Sequence, residues 1–214
     1  MSSKLSLYNQ ALIELGQRAI SAVDENREDR RTLDAVYDSV VEDCLEQGQW
    51  NFAIRAVKIA ADTTITPAFG FTEVFAKPTD WVRTIGLSTD EYHNSPLSGD
   101  EMRDEAGVWL ADTTPLYARY ISNGASYGLD LTAWPVSFER FVELELASRI
   151  AVRITASDKL HKKVYSLAKA AKRNALNKDA MNEGIRFLPT GRLVRSRMGW
   201  QSRRDRGNRS NFTG

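Results

Sequence analysis

The sequence predicts an α+β fold: a four-helix body, an antiparallel β segment inserted in one of its connections, and an extended basic C-terminal arm. Three observations carry this. Apolar residues recur every three or four positions near both ends of the chain, the period of buried helix faces. Between them the texture changes to short β-branched and aromatic runs bounded by Gly, Pro, Thr and Asp. The final stretch, residues 191–214, holds seven arginines against one aspartate, a net of +6 that leaves −5 on residues 1–190 of a chain with net charge +1. The corresponding division is 1–48 with 132–190 for the helical body, 49–131 for the inserted β domain and 191–214 for the arm.

In chain order, residues 5–20 place Leu5, Tyr8, Leu12, Leu15 and Ala19 on one face and predict a first helix. After the polar turn DENRED, residues 31–47 repeat the pattern with Leu33, Val36, Tyr37, Val40, Val41, Cys44 and Leu45, and Gly48 stands where a left-handed C-terminal cap is expected. Strands are predicted at 50–60, 71–78 and 81–88, then two more around Gly107 as GVWLAD and PLYARYIS. In the last of these, Leu116, Ala118 and Tyr120 alternate with Tyr117, Arg119 and Ile121, which suits a sheet with two different faces. Ala-Asp-Thr-Thr occurs twice, at 61–64 and 111–114, and is read as turn chemistry rather than as a repeat. Helical spacing returns after Pro135 with Phe138, Val142, Leu146, Ile150 and Ile154, widened by Phe141, Ala147 and Ala151. Ser157 is the expected cap of a fourth helix through Leu160, Val164, Leu167 and Ala171. It ends near Gly184 and carries Lys159, Lys162, Lys163, Lys169, Lys172 and Arg173 on a solvated face.

Composition restricts function. With 42% hydrophobic and 27% charged residues the chain has the make-up of a globular protein. It has no basic start followed by an apolar run, and no stretch approaching the roughly 18 apolar residues of a membrane span. The expectation is a cytosolic, uncleaved chain. The single cysteine, Cys44, excludes a disulfide framework and reads as a buried, inert thiol. Catalytic, metal and cofactor sites are not expected. His93 and His161 have no ligand or triad spacing, Ser166 and Lys169 form Ser-x-x-Lys inside a helix, and no phosphate-cradling glycine pattern occurs. Glu143 and Glu145, or Asp100, Glu101, Asp104 and Glu105, are carboxylates of the kind that solvate helices and loops. The aromatics Trp50, Phe52, Trp81, Trp109 and Trp134 are read as core, with Trp50 and Phe52 sealing the body where the β segment leaves it.

Five stretches together are more specific: LYNQALIELG (7–16), LDAVYDSVVEDCLEQGQWNFAIRAVKI (33–59), KPTDWVRTIGLS (77–88), WLADTTPLYARYIS (109–122) and DLTAWPVSFERFVELELASRIAVRIT (130–155). In this order they resemble the head-to-tail adaptors of tailed bacteriophages, the tail tubular protein A family of short-tailed phages. The resemblance runs over most of residues 5–185, with Leu-Tyr-Asn, Gln-Gly-x-Trp-Asn-Phe and Pro-x-Asp-Trp as its signatures. It implies a structural connector, not an enzyme: a ring of twelve copies beneath the capsid portal, continued below by tail or nozzle proteins. Double-stranded DNA passes through its lumen without sequence recognition. It also implies a place in the virion after assembly in the host cytoplasm, with no membrane involvement. Its copies would meet through a heterologous contact closed by rotation.

For the arm, the residues assigned to partner binding are Arg192, Leu193, Arg195, Arg197, Met198, Trp200, Arg203, Arg204, Arg206, Arg209 and Phe212, with Val194 as a further apolar anchor. Extended, 24 residues reach about 80 Å, twice the ~40 Å breadth of a body of this size. Apolar anchors among planar, bidentate arginines suit a protein surface, so the expected partner is the portal, with the arm ordering as it binds. The alternatives are a nucleic-acid-binding arm, whose seven arginines would give a salt slope of about −6, and a glycan hydrolase using Glu101 or Glu105. Trp200 is the foremost contact candidate. Trp200→Ala is expected to leave the unfolding midpoint unchanged while weakening co-sedimentation with portal rings; a mutant that unfolds refutes the assignment.

Overall fold

Ser3 opens the first helix by accepting a hydrogen bond from Ser6 N at 3.2 Å in the computed structural model, which describes residues 3–67 and 69–182. That helix, α1 (Lys4–Glu14), is shorter than its apolar spacing predicts. Gly16 turns left-handed at φ +68°. Gln17 N then donates to Leu12 O and Gly16 N to Ile13 O, each at 2.9 Å, the paired bonds of a Schellman stop. Ala19 therefore lies beyond the helix. Ile20 is still buried, because Asn9 accepts from Ile20 N at 2.8 Å and donates to Ile20 O at 3.0 Å. α2 (Glu28–Glu46) starts three residues before the predicted 31, with Glu28 and Asp29 in its first turn and Arg27 on Asp29 at 2.6 Å.

Gly48 does not form the left-handed cap expected of it; Gly16, Gly70 and Gly107 are the positive-φ glycines among the described residues. Its role is close approach. A Cβ there would lie 2.6 Å from the Trp50 ring and 2.8 Å from Leu176. The predicted strand from residue 50 begins instead with a 3-10 turn (Asn51–Ala53), and β1 follows (Ile54–Ile59). The turn is held from a distance, since Asn51 N and Nδ2 both donate to Asp179 Oδ2 at 3.1 Å.

Five further strands follow: β2 (Glu73–Ala76), β3 (Trp81–Ser88), β4 (Met102–Glu105), β5 (Val108–Ala111) and β6 (Leu116–Ser122). They form two antiparallel three-stranded sheets, ordered β1-β6-β3 and β2-β5-β4. β4 is a strand the sequence pattern does not announce, because its MRDE has no apolar alternation. It forms by pairing with β5 across Ala106 and Gly107, both at positive φ, the two-residue turn that matches strand twist. Of the two Ala-Asp-Thr-Thr segments, the first makes its own turn, Thr64 N donating to Asp62 Oδ1 at 2.8 Å. In the second, Asp112 instead accepts from Thr72 N at 2.8 Å and ties down the approach to β2.

α3 (Val136–Thr155) and α4 (Asp158–Met181) complete the α+β fold of four helices and two small sheets. Pro135 sits at the N-cap of α3, one residue before the first turn assigned to it. Ala156, left-handed at φ +50°, ends α3, and Ser157 caps α4 by accepting from Leu160 N at 3.3 Å. α3 is the central helix, packed on α1, α2 and α4. The seam with α4 runs through Val164, Ala168 and Ala175. Leu167, assigned to it from spacing, is 38% exposed; the small alanines let the two helices approach, and the seam turns away from Leu167. The expected end of α4 near Gly184 lies outside the described residues.

Two apolar cores result. One joins the helices to the near face of the first sheet, through Ile121 with Ile54, Val82 and Ile85. The other lies between the sheets, where Leu116, Ala118 and Tyr120 of β6 meet Phe75, Trp109 and Ala111. The alternation read along β6 thus separates two cores. Trp50 and Phe52 do seal the joint, each with its ring centroid 4.8 Å from that of Phe138, and Trp109 and Trp134 are buried. Trp81 is only half-buried, under Lys77.

Gly48→Ala is expected to lower stability by about 1–3 kcal/mol through overlap with Trp50, while Gly99→Ala, where an added Cβ meets nothing within 4 Å, should stay within about 0.5 kcal/mol of wild type. Urea unfolding midpoints of the two variants check this.

Candidate functional site

The eleven partner-binding residues assigned to the arm, Arg192 to Phe212, lie outside the described residues. Among those that are described, each chemically suggestive side chain occupies an identifiable structural place. Ser166 Oγ donates to Lys163 O at 2.7 Å within α4, and His161 stacks on Tyr165 of the same helix at 6.2 Å. His93 sits in a left-handed turn at φ +54°. Glu101 accepts from Ser98 N at 2.8 Å and closes its own turn. Glu143 and Glu145 pair with Arg140 and Arg149 on α3. No cluster of three or more metal-ligating side chains occurs among the described residues, nor does any described helix have the length and apolarity to cross a membrane. Cys44 is fully buried, and burial pushes its thiol well above the ordinary value.

What the structure does assemble is a polar hub on Asp80. Its Oδ1 accepts from Tyr120 at 3.0 Å and its Oδ2 from Arg55 at 2.8 Å and from Ser122. Its carbonyl accepts from Asn123 N at 2.9 Å. One carboxylate thereby fastens β1, β6 and the turn before β3. Burial pushes the Asp80 carboxyl up, but the bonds from Ser122, Arg55 and Tyr120 outweigh it and hold the group below the usual carboxylate range. Beyond Ser122 the chain turns tightly through Gly128, where a Cβ would stand 2.2 Å from Ser122 O. Trp134 Nε1 then donates to Gly128 O at 2.8 Å just before α3. A second cluster sits on Lys77, whose Nζ lies 3.5 Å from the Trp81 ring centroid and 2.6 Å from Asp104 Oδ1. Asp104, read from the sequence as a solvating loop carboxylate, is on β4 and also accepts from Thr84 at 3.1 Å and from Trp109 Nε1 at 3.2 Å.

The helical side offers surfaces of a different kind. A groove of about 270 Å³ runs between α3 and α4, lined by Glu145, Ser148, Arg149, Val152, His161 and Tyr165. Val152 and Tyr165 are both exposed there. Beside it, α4 carries seven cations against Asp158 and Asp179, a net of +5, whereas α2 carries seven carboxylates against Arg30 and Arg31, a net of −5. The sequence reading noted the lysines of α4 but missed the acidity of α2; counting charge helix by helix is the signal that finds it.

No protein-family model matches the chain, and no curated protein matches it.

Asp34 and Asp80 both contribute to the acid limit of the fold. Tyr8 donates to Asp34 Oδ1 at 2.7 Å, with Lys4 and Arg30 beside it, and this holds Asp34 down at about 2. Both Asp34 and Asp80 are depressed in the folded state, so their contribution is complete above the ordinary carboxylate value of about 3.9 and fades as pH falls toward 2. Wild-type stability should therefore drop over that window. Asp80→Asn should cost about 1–3 kcal/mol at neutral pH and show a shallower acid slope, read from urea midpoints at successive pH values.

Proposed function

We propose that this chain is a structural head-to-tail connector of a tailed phage virion, assembling as a ring between the capsid portal and the tail and surrounding the DNA exit channel. One observation carries the reading: the residues of the three adaptor-like signatures are the ones that build the joints of this body. In Leu-Tyr-Asn, Leu7 is buried, Tyr8 binds Asp34 and Asn9 holds Ile20. In Gln-Gly-x-Trp-Asn-Phe, Gly48 admits Trp50, Asn51 clamps Asp179, and Phe52 meets Phe138. In Pro-x-Asp-Trp, Asp80 is the hub of the first sheet. A resemblance concentrated in joint-forming residues is what shared architecture produces, whereas residues scattered over a surface could match through composition alone.

A connector works by shape and contact. Its body must resist deformation, and two cores sharing one sheet serve that need. On this reading the arm docks on the portal and the body faces its neighbours.

The test is co-sedimentation of isolated portal rings with the full chain and with a chain stopped after Thr190, at moderate and high salt. Binding by the full chain, lost on truncation while the truncated body keeps its unfolding midpoint, supports both the connector reading and the portal-clamp role of the arm. Equal binding by both chains keeps the connector and moves docking to the body. Failure of both to bind portal rings, with retention of the full chain on DNA of any sequence, replaces the connector with a nucleic-acid-binding protein.

A further inference from the structure

We propose, resting on the ring reading above, that neighbouring copies meet helix to helix, the basic face of α4 in one copy lying against the acidic face of α2 in the next. Lys159, Lys162, Lys169 and Arg173 follow one another at intervals of three, seven and four residues, with Ser166 between Lys162 and Lys169. This is a straight stripe along the exposed side of α4. Among the described residues none of these four, nor Lys163, Lys172 or Lys178, forms an ion pair. On α2, Asp38, Glu42 and Glu46 repeat every four residues on the exposed face, and they too make no ion pair among the described residues. Like charges one turn apart repel and weaken a helix. Each helix keeps such a row, with opposite signs and equal net charge, and the chain does not bring the rows together.

The occupant that fits α4 is a second copy of this chain. Tyr165 and Leu167, 46% and 38% exposed, flank the cationic stripe. Apolar and aromatic surface of that kind is covered by a helix face better than by a phosphate backbone. α2 offers the small, exposed Ala35 and Ser39 among its carboxylates, so a ring such as that of Tyr165 can approach. The 24 residues of α4 and the 19 of α2 extend about 36 and 28 Å, lengths that allow lateral contact. The two faces are different surfaces of one molecule, so the contact is heterologous and propagates from copy to copy until rotation closes it.

Charge reversal tests this in the full-length chain by sedimentation velocity at low and high salt. Wild type should self-associate, less so at high salt. Lys159→Glu/Lys162→Glu/Arg173→Glu on α4, and separately Asp38→Lys/Glu42→Lys/Glu46→Lys on α2, should each weaken self-association at least about tenfold. An equimolar mixture of the two should restore it, because copies then alternate and every contact again joins opposite charges. Unfolded variants cannot be rescued by mixing, and the neutral changes Lys162→Gln and Glu42→Gln must weaken association in the same direction. Reversals and neutral changes that leave association unchanged, or folded reversed variants whose mixture is not rescued, overturn this contact and leave the ring standing. A wild-type chain that never self-associates, alone or on portal rings, overturns the ring and this contact with it. Loss of DNA retention in the α4 variant with self-association intact assigns the stripe to phosphate and also overturns it.

Discussion

Trp50 sits where the chain stops being helical and becomes sheet, and the arrangement of the body depends on how that residue is held. Its indole donates to Cys44 O at 2.9 Å, capping a late carbonyl of α2 from inside the core. Its ring lies against Phe138 near the start of α3, and Gly48 leaves the space it needs. One residue later Asn51 reaches 128 positions along the chain to Asp179 and anchors the last turns of α4. Three helices and the first strand are thus referenced to one dipeptide. A buried indole is tolerated only where its N–H finds a partner, and here the same bond also satisfies a helix end.

From that joint the layers follow in order. The first sheet shows one face to the helices and the other to the second sheet, and β6 alternates between the two. Asp80 locks the first sheet near its junction with the bundle, where Arg55, Tyr120 and Ser122 converge. The second sheet rests on the first through Phe75 and Trp109 and adds no residue to the helical core.

Much of this was legible in the chain because α2 and α3 are long and their apolar residues repeat without interruption. Gly16 was the readable but unread signal for the early end of α1, since a glycine after Leu15 permits the left-handed turn that periodicity alone overlooks. β4 was not legible in MRDE, as a four-residue edge strand is specified by its partner and by the Ala106–Gly107 turn rather than by its own pattern. Nor was the Asn51–Asp179 clamp, since nothing local joins residues so far apart. Of the candidate surfaces, the lysines of α4 could be counted from sequence. That they stay without carboxylate partners inside the chain, and that α2 carries the opposite row, depends on tertiary placement. The arm, which supplied the assigned partner-binding residues, lies outside the described residues.

The exit from the β segment returns close to its entrance, for Trp134 packs on the same Phe138 as Trp50, with centroids 4.9 Å apart. The intervening eighty or so residues therefore leave and rejoin the helices at one place, and only the near face of the first sheet packs back on them, so the rest is a side branch. Loops at the far end of such a branch, including the turn that Asp90 organises over Tyr92, Asn94 and Ser95, can lengthen, shorten or change chemistry without reaching the bundle. Such a body can keep its helical surfaces fixed while its outer sheet diversifies.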